Sequence, residues 1–533
     1  MSADGRSKGE ASEKSPLVSV DMMEEAKSES LARSEWYNSA SILMAEVMGT
    51  GLLALPHAMS KLGWLLGLSS SLGFGVASTY SAVLLARVKN DFYPHAESYG
   101  DLADETGGRA FGSFTRIAVL LTWSALLPYY MLACADSLHA LAPGVSMQTW
   151  QWALVVAALL VVPLQLRTLH QVSFLCLAST AAVIGAIAII LITLLLQVAP
   201  AAVTAIPAAI PAGAAAIPEA VAALSPHSPR RWLPDFSRTS LLSVLGHVSS
   251  FVFAYQGHSV ILEMMREMKD PRHFARAALA ANALMISVYT GTSVLGCARP
   301  APLHARPVSN PERTALYPFT PFVAARATDL ALGDDVAGFL PDSMADGPAK
   351  SAVGLLLIFH TAVAYLAVGQ PLHRAMHACI FPSTVDAFTQ RAAVHWFIVT
   401  SAQLVLHQSI PPLTLPPARD PRLSLACDVL RFLSRPQALS VLLATAIPFF
   451  SELQSLLGSL TGAPIVFGWP AFFFLRSCAV RGVPVGWADF VVCGAFLGLL
   501  LPMFLTLGTA SAVQEIMESW RLNPGVSGAT VSG

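Results

Sequence analysis

A chain of 533 residues in which 54% are hydrophobic and only 12% charged is too apolar for an ordinary soluble protein, where about 25% of residues carry charge. That composition excludes a soluble globular fold and points to a membrane protein. A formal net charge of -1 gives no electrostatic reason to expect nucleic acid as a partner.

Residues 1–35 are polar, mixed in charge and lack the apolar core of a signal peptide, so they are expected to form a disordered cytosolic tail. Apolar stretches of spanning length, roughly 20 residues, follow at 37–60, 62–86, 114–140, 150–166 and 171–198. An Ala/Pro-rich loop at 199–239 comes next; its prolines remove donors and fix φ, which makes it an irregular spacer. Further apolar stretches lie at 240–263, 276–298, 350–372, 437–456, 458–475 and 485–508, with a C-terminal tail at 509–533. The sum is eleven helices: a five-helix repeat in 36–198, a second in 240–475, and an eleventh helix at 485–508. The loop 299–349 reads as a connector. Within the inserted segment 383–436, residues 392–410 are nearly long enough to span, yet they carry His395 and His407 and run into Pro-rich chain. They are expected to form an interfacial helix or inserted loop; a spanning reading would add a twelfth helix.

With the N-terminus in the cytosol, Arg87, Lys89, Arg109, Arg116, Arg167, Arg266, Lys269, Arg272, Arg276, Arg476 and Arg481 all fall inside, as the bias of short loops toward inside Lys and Arg requires. Arg230, Arg231 and Arg306 are exceptions that lie in the two longer outside loops. The seven cysteines are scattered without a CxxC pair and read as small core residues.

The first apolar stretch contains Met48-Gly49-Thr50-Gly51 followed by Pro56. Glycine weakens a helix by about 1 kcal/mol relative to Ala, and at membrane depth non-helical backbone is tolerated only where protein covers it or a cavity lies beside it. The pair therefore marks a discontinuous helix, or else a small-residue packing face. The stretch 240–263 has its own interruption, Ala254-Tyr255-Gln256-Gly257-His258. Interrupted helices opening each of two halves are the mark of an inverted-repeat transporter. Half-helix N-termini would offer amides to a carboxylate, and unwound carbonyls would hold a cation or ammonium. A zwitterionic amino acid suits such a site.

The stretches MGTGLLALPHAMSKLGW, SYGDLADETGGRAFG, YYMLACADSLHAL, VVPLQLRTLHQVSFLCLAS, FAYQGHSVILEMMREMKDPRHF and IPFFSELQSLLGSLTGAPIVFGWPAFFF together resemble the amino acid/auxin permease family, in order, over most of residues 36–508. The resemblance implies an all-α polytopic, leucine-transporter-like fold of five-plus-five inverted helices with an eleventh added. It also implies amino-acid transport, usually driven by protons. The family's first-helix motif maps onto Gly49, Thr50 and Gly51, and its sixth-helix motif onto Phe253, Ala254, Tyr255, Gln256 and Gly257. Sodium-coupled animal members carry an Asn four residues before the first motif glycine. Here Ala45 stands there, which makes sodium the less favoured coupling ion. The segment 383–436 is a second departure.

Intramembrane acids are functional candidates because they are costly to bury, and Glu46, one turn before the Gly49 break, is the foremost proton-coupling candidate. His258 is the second, since imidazole titrates near neutral pH. Glu263 is expected to pair with Arg266 or Lys269 at the inside end, and Asp136 to play a similar part near the outer end of helix three. Tyr129, Tyr130 and Tyr255 are candidates to face substrate, as are Thr361 and Gln370. No phosphate-binding loop, catalytic triad or paired metal-ligand spacing is present, so neither an enzyme nor a bound metal or cofactor is expected. The expectation is a secondary active transporter of neutral amino acids in the lipid bilayer of a vacuolar or plasma membrane. A transporter-like amino-acid sensor, or a carrier of auxin or another small organic anion, is the alternative. Which amino acid is carried, and the oligomeric state, are not legible.

Overall fold

A computed structural model describes residues 34–142, 149–208, 240–300, 330–332, 338–385, 389–406 and 450–522, with isolated positions between them. The expected tail up to residue 33, most of the Ala/Pro-rich loop, His407 and residues 437–449 of an expected helix lie outside the described residues.

Among the described residues, seven helices are long and apolar enough to cross a membrane: Gly51–Phe92, Arg109–Ala135, Leu169–Leu194, Pro271–Gly296, Pro348–Ile380, Ser451–Arg481 and Trp487–Ser519. Shorter or broken helices among the described residues pack with them. The first span, Trp36–Val47, is broken and resumes through the 3₁₀ turn Thr50–Ala54. Its far end is separated from the second span only by Gly63, at φ 76° and ψ 172°, a conformation that only glycine adopts without strain. The sixth span is likewise broken, into Leu241–Ala254 and Ile261–Glu267. The fourth, Thr149–Leu160, is short. Large apolar side chains including Val76, Phe174, Leu177, Leu355, Phe490 and Leu499 stand exposed around the bundle, as suits lipid and not water. The one sheet among the described residues is a short antiparallel pair, Ala298–Pro300 with Leu330–Leu332.

Three boundaries differ from those expected. Of the stretches 437–456 and 458–475, the described residues from Ser451 to Arg481 form one continuous helix, the tenth span. Gly458, Gly462 and Pro464 loosen it into two wide turns, Gly458–Gly462 and Pro464–Gly468, as π-turns commonly do inside helices. Carbonyls freed there are taken by neighbours: the Tyr99 hydroxyl donates to Ile465 O at 2.9 Å, and Ser81 Oγ to Val466 O.

The segment expected to form an interfacial helix or inserted loop contains the helix Gln390–Leu406, packed against the eighth span. Ala392, Trp396, Val399 and Thr400 are buried on one face, while Val394, Phe397 and Ile398 are exposed on the other. Its polar groups are satisfied within the protein: Trp396 Nε1 donates to Leu164 O at 2.9 Å, and His395 Nδ1 lies 2.8 Å from Thr384 Oγ1. At the ends of two helices the chain stays helical further than expected. The fifth span runs to Ala208 through an Ala-rich stretch, Ala being the best helix former. The expected C-terminal tail is helical over Thr509–Leu522, fixed there by Ser243 Oγ donating to Glu515 at 3.0 Å and Ser519 Oγ to Glu452 at 3.0 Å.

Basic side chains gather at one end of the bundle. Arg87 pairs with Asp489 at 3.3 Å, Arg116 with Asp101 at 3.1 Å and with Asp104, and Arg481 donates to Phe92 O at 2.8 Å. Ser34, the first described residue, joins the end of the sixth span there by accepting from Lys269 N and donating to Glu267 O, each at 2.9 Å.

Candidate functional site

The first helix ends where the sequence interrupts it. Val47 is its last residue, Met48 caps it at φ -72° and ψ 26°, and Gly49 is extended. In the sixth span Ala254 is the last helical residue, Tyr255 caps it, and Gln256 and Gly257 carry the chain to the 3₁₀ turn His258–Val260. The two breaks face each other with the chains running in opposite directions. A Cβ on Gly51 would stand 3.3 Å from the Phe253 ring and 3.5 Å from Ala254 Cα, while one on Gly257 would stand 2.2 Å from Val47 Cγ2 and 2.9 Å from Glu46 Oε2. Glycine is present at both points so that the two backbones can approach. Gly49, Gly51, Ala254, Tyr255, Gln256 and Gly257 are all buried.

A helix end leaves its last four carbonyls without intrahelical partners, and buried carbonyls must find others. Here side chains from four surrounding spans supply them. The Tyr289 hydroxyl, on the seventh span, lies 2.6 Å from Val47 O and 3.0 Å from Ala254 O. Gln454 Nε2, on the tenth, donates to Gly51 O at 3.0 Å and to Ser250 O at 3.2 Å. Ser78 Oγ, on the second, donates to Tyr255 O at 3.2 Å, and Tyr130 on the third reaches Glu46 O at 3.5 Å. Tyr289 and Gln454 were not singled out from sequence. The available signal was a lone polar side chain inside an apolar span, which alone does not say what it faces.

Glu46 lies at the junction of the breaks. It is 4% exposed, and its Oε2 has no hydrogen-bond partner among the described residues. Burying a bare carboxylate costs several kcal/mol, and a proton or an ammonium group removes that cost. The other proton candidate is placed elsewhere: His258 Nε2 lies 3.0 Å from Ser78 O, so the ring serves the second span and not the break. Gln256 Nε2 reaches Thr461 Oγ1 at 3.4 Å, leaving Oε1 unpaired among the described residues. Phe253 packs edge-on against Tyr129 at 5.9 Å, and the Tyr255 ring lies 4.9 Å from that of Tyr289. Thr50 opens the 3₁₀ turn of the first span.

Other candidates hold spans together away from the breaks. Thr361 Oγ1 lies 2.7 Å from Cys134 Sγ, and Gln370 Nε2 donates to Leu166 O. The expected Glu263–Arg266 pair forms at 2.9 Å. Lys269 donates to Glu35 at 2.8 Å, and this hydrogen bond holds its ammonium above the ordinary lysine range. The side chain of Asp136 lies outside the described residues. Among the described residues no group of three or more His, Cys, Asp or Glu side chains could hold a metal ion.

Broken helices in the first and sixth places of the bundle, with their breaks in register, are the arrangement of an inverted-repeat polytopic membrane protein. The chain belongs to the transmembrane amino acid transporter protein family, whose model matches residues 32–298 and 330–511. Among its relatives in Arabidopsis thaliana are amino acid transporter AVT1D, 26% identical over 257 residues that make up 46% of this chain and 41% of that protein, and amino acid transporter AVT6E, 23% identical over 272 residues, 49% and 51%. The chain thus spans about half the length of these relatives. Among solved structures it is similar to a Na+-coupled sialic acid symporter in its substrate-bound outward-open state, at TM-score 0.42 and 12% identity, covering 92% of this chain and 91% of that one. It is also similar to MhsT in complex with L-phenylalanine, at TM-score 0.46 and 14% identity, covering 90% and 100%.

Proposed function

We propose that this protein is a secondary active transporter of neutral amino acids, coupled to protons and working by alternating access around the two breaks. The observation that carries the reading is the Glu46 carboxyl, buried against Gly257 where both helices are interrupted. The second half of the first span starts at this point, and its first amides have no intrahelical partners, which suits an amino acid's carboxylate. The released carbonyls and Glu46 suit its ammonium. The surrounding Phe253, Tyr129 and Tyr130 suit an uncharged side chain. When Glu46 binds a proton, the charge balance of the site changes, and linkage makes proton and substrate affect each other's affinity equally. The basic end, with the N-terminus, lies in the cytosol in this reading, which follows the distribution of Lys and Arg. The membrane is vacuolar or plasma membrane.

Uptake into proteoliposomes with a panel of neutral, acidic, basic and aromatic amino acids plus auxin tests the substrate. Neutral amino acids should accumulate only while a pH gradient is imposed. Accumulation that survives collapse of the gradient sinks the proton coupling. Binding without flux identifies a sensor in place of a carrier.

A further inference from the structure

Val47 and Ala254 are the last helical residues before their respective breaks. Their carbonyls are the negative ends of two half-helices, the kind of groups that hold a coupling cation in broken-helix carriers. In this chain both carbonyls converge on a single atom, the Tyr289 hydroxyl oxygen, at 2.6 and 3.0 Å. The phenol has one proton to give, and two carbonyl oxygens lie within reach of it. Tyr289 is fully buried, and its ring is held 4.9 Å from that of Tyr255, so the position of the oxygen is set by packing. Nearby, Ala45 is buried and adds no side-chain oxygen that would complete a metal's coordination.

We propose that Tyr289 takes the place of a metal cation at the joint between the two broken helices. Its hydroxyl proton satisfies both helix ends, and the residue thereby decides cation specificity: the protein needs no sodium at this point. The same contact ties the first half of the first span to the first half of the sixth, so the two move as a unit through the seventh span. This inference rests on the reading of the chain as a broken-helix carrier. It differs from the proton chemistry at Glu46, because the Tyr289 proton is a fixed donor and is not exchanged in the cycle.

The test uses sodium itself as the probe, on the purified full chain, by thermal unfolding in NaCl against choline chloride at equal ionic strength. The wild-type midpoint should be the same in both salts. Tyr289→Phe keeps the ring and bares the two carbonyls; it should unfold earlier in choline and regain roughly 2–4 °C when sodium is present. A sodium-dependent rise in the wild type overturns the proposal, and this arm stands even if the variant does not fold. So does a Tyr289→Phe protein that equals wild type in choline, or one weakened equally in both salts, since the hydroxyl would then be dispensable or merely structural. The readout needs no amino acid, so it separates the two readings. If no amino acid is transported, the carrier reading fails while the cation response still decides the role of Tyr289.

Discussion

At the break in the first span the chain sets a carboxyl, Glu46, against the backbone of the facing helix; at the break in the sixth it sets an amide, Gln256, and an imidazole, His258, and turns both away, toward Thr461 and Ser78. The backbones of the two breaks are near counterparts. Each has a last helical residue whose carbonyl meets Tyr289, and each has a glycine pressed against the other strand. What differs is where titratable chemistry sits. The shared backbone builds a polar joint in an apolar bundle, and only one side of it carries an acid. The joint explains how a small polar solute could be held, and the asymmetry explains why one residue should govern coupling.

The sharpest way to break this comparison is through its two glycines, whose surroundings are not equally tight. At Gly257 a Cβ would meet Val47 Cγ2 at 2.2 Å, whereas at Gly51 the nearest atoms, in the Phe253 ring, are at 3.3 Å. Gly257→Ala should therefore push the helices apart, cost about 1–3 kcal/mol and abolish uptake, while Gly51→Ala should retain measurable uptake. Equal loss in both variants would show that close packing at Gly257 is not what holds the joint. Next in size is Glu46→Gln, which keeps the shape and removes the exchangeable proton. Substrate should still bind and equilibrate, with accumulation no longer responding to an imposed pH gradient. A Glu46→Gln protein that concentrates substrate clears Glu46 of the coupling role.

The two breaks could be read from sequence because Gly-Thr-Gly and Tyr-Gln-Gly stand where apolar helix formers belong, and no local interaction restores the helix there. Glycine and proline do not always break a span: at Gly458, Gly462 and Pro464 the helix continues through wide turns. The deciding factor was tertiary: Tyr99 and Ser81 stand ready to take the loosened carbonyls. The role of 392–410 stayed open in the sequence because His395 and His407 interrupt an apolar stretch; in the structure Thr384 supplies the partner of His395. Tyr289 and Gln454 were missed because a sequence shows that a side chain is polar but not which carbonyl lies opposite it.

Gln454 offers a test of intermediate size. Its one amide nitrogen serves both halves of the joint, at Gly51 O and Ser250 O. Gln454→Leu strands two buried carbonyls at about 1–3 kcal/mol each if nothing replaces the donor. The loss should appear as a lower unfolding midpoint together with weaker substrate binding, by about tenfold or more. Gln454→Glu, which brings an acceptor, should be worse still when ionised. A Gln454→Leu protein that keeps its stability but loses binding would instead place this amide in direct contact with substrate.

His258 gives the smallest expected effect and the cleanest check on the asymmetry. Its Nε2 meets Ser78 O at 3.0 Å, so the requirement at this position is a donor and not a titrating group. Gln keeps an N–H for that carbonyl and cannot change charge between pH 5 and 8. His258→Gln should leave the pH dependence of uptake unaltered and change its rate by less than about threefold, under 1 kcal/mol. If the pH profile moves instead, the proton path runs through the sixth span as well as the first, and the two breaks are more alike in chemistry than the placement of Glu46 implies.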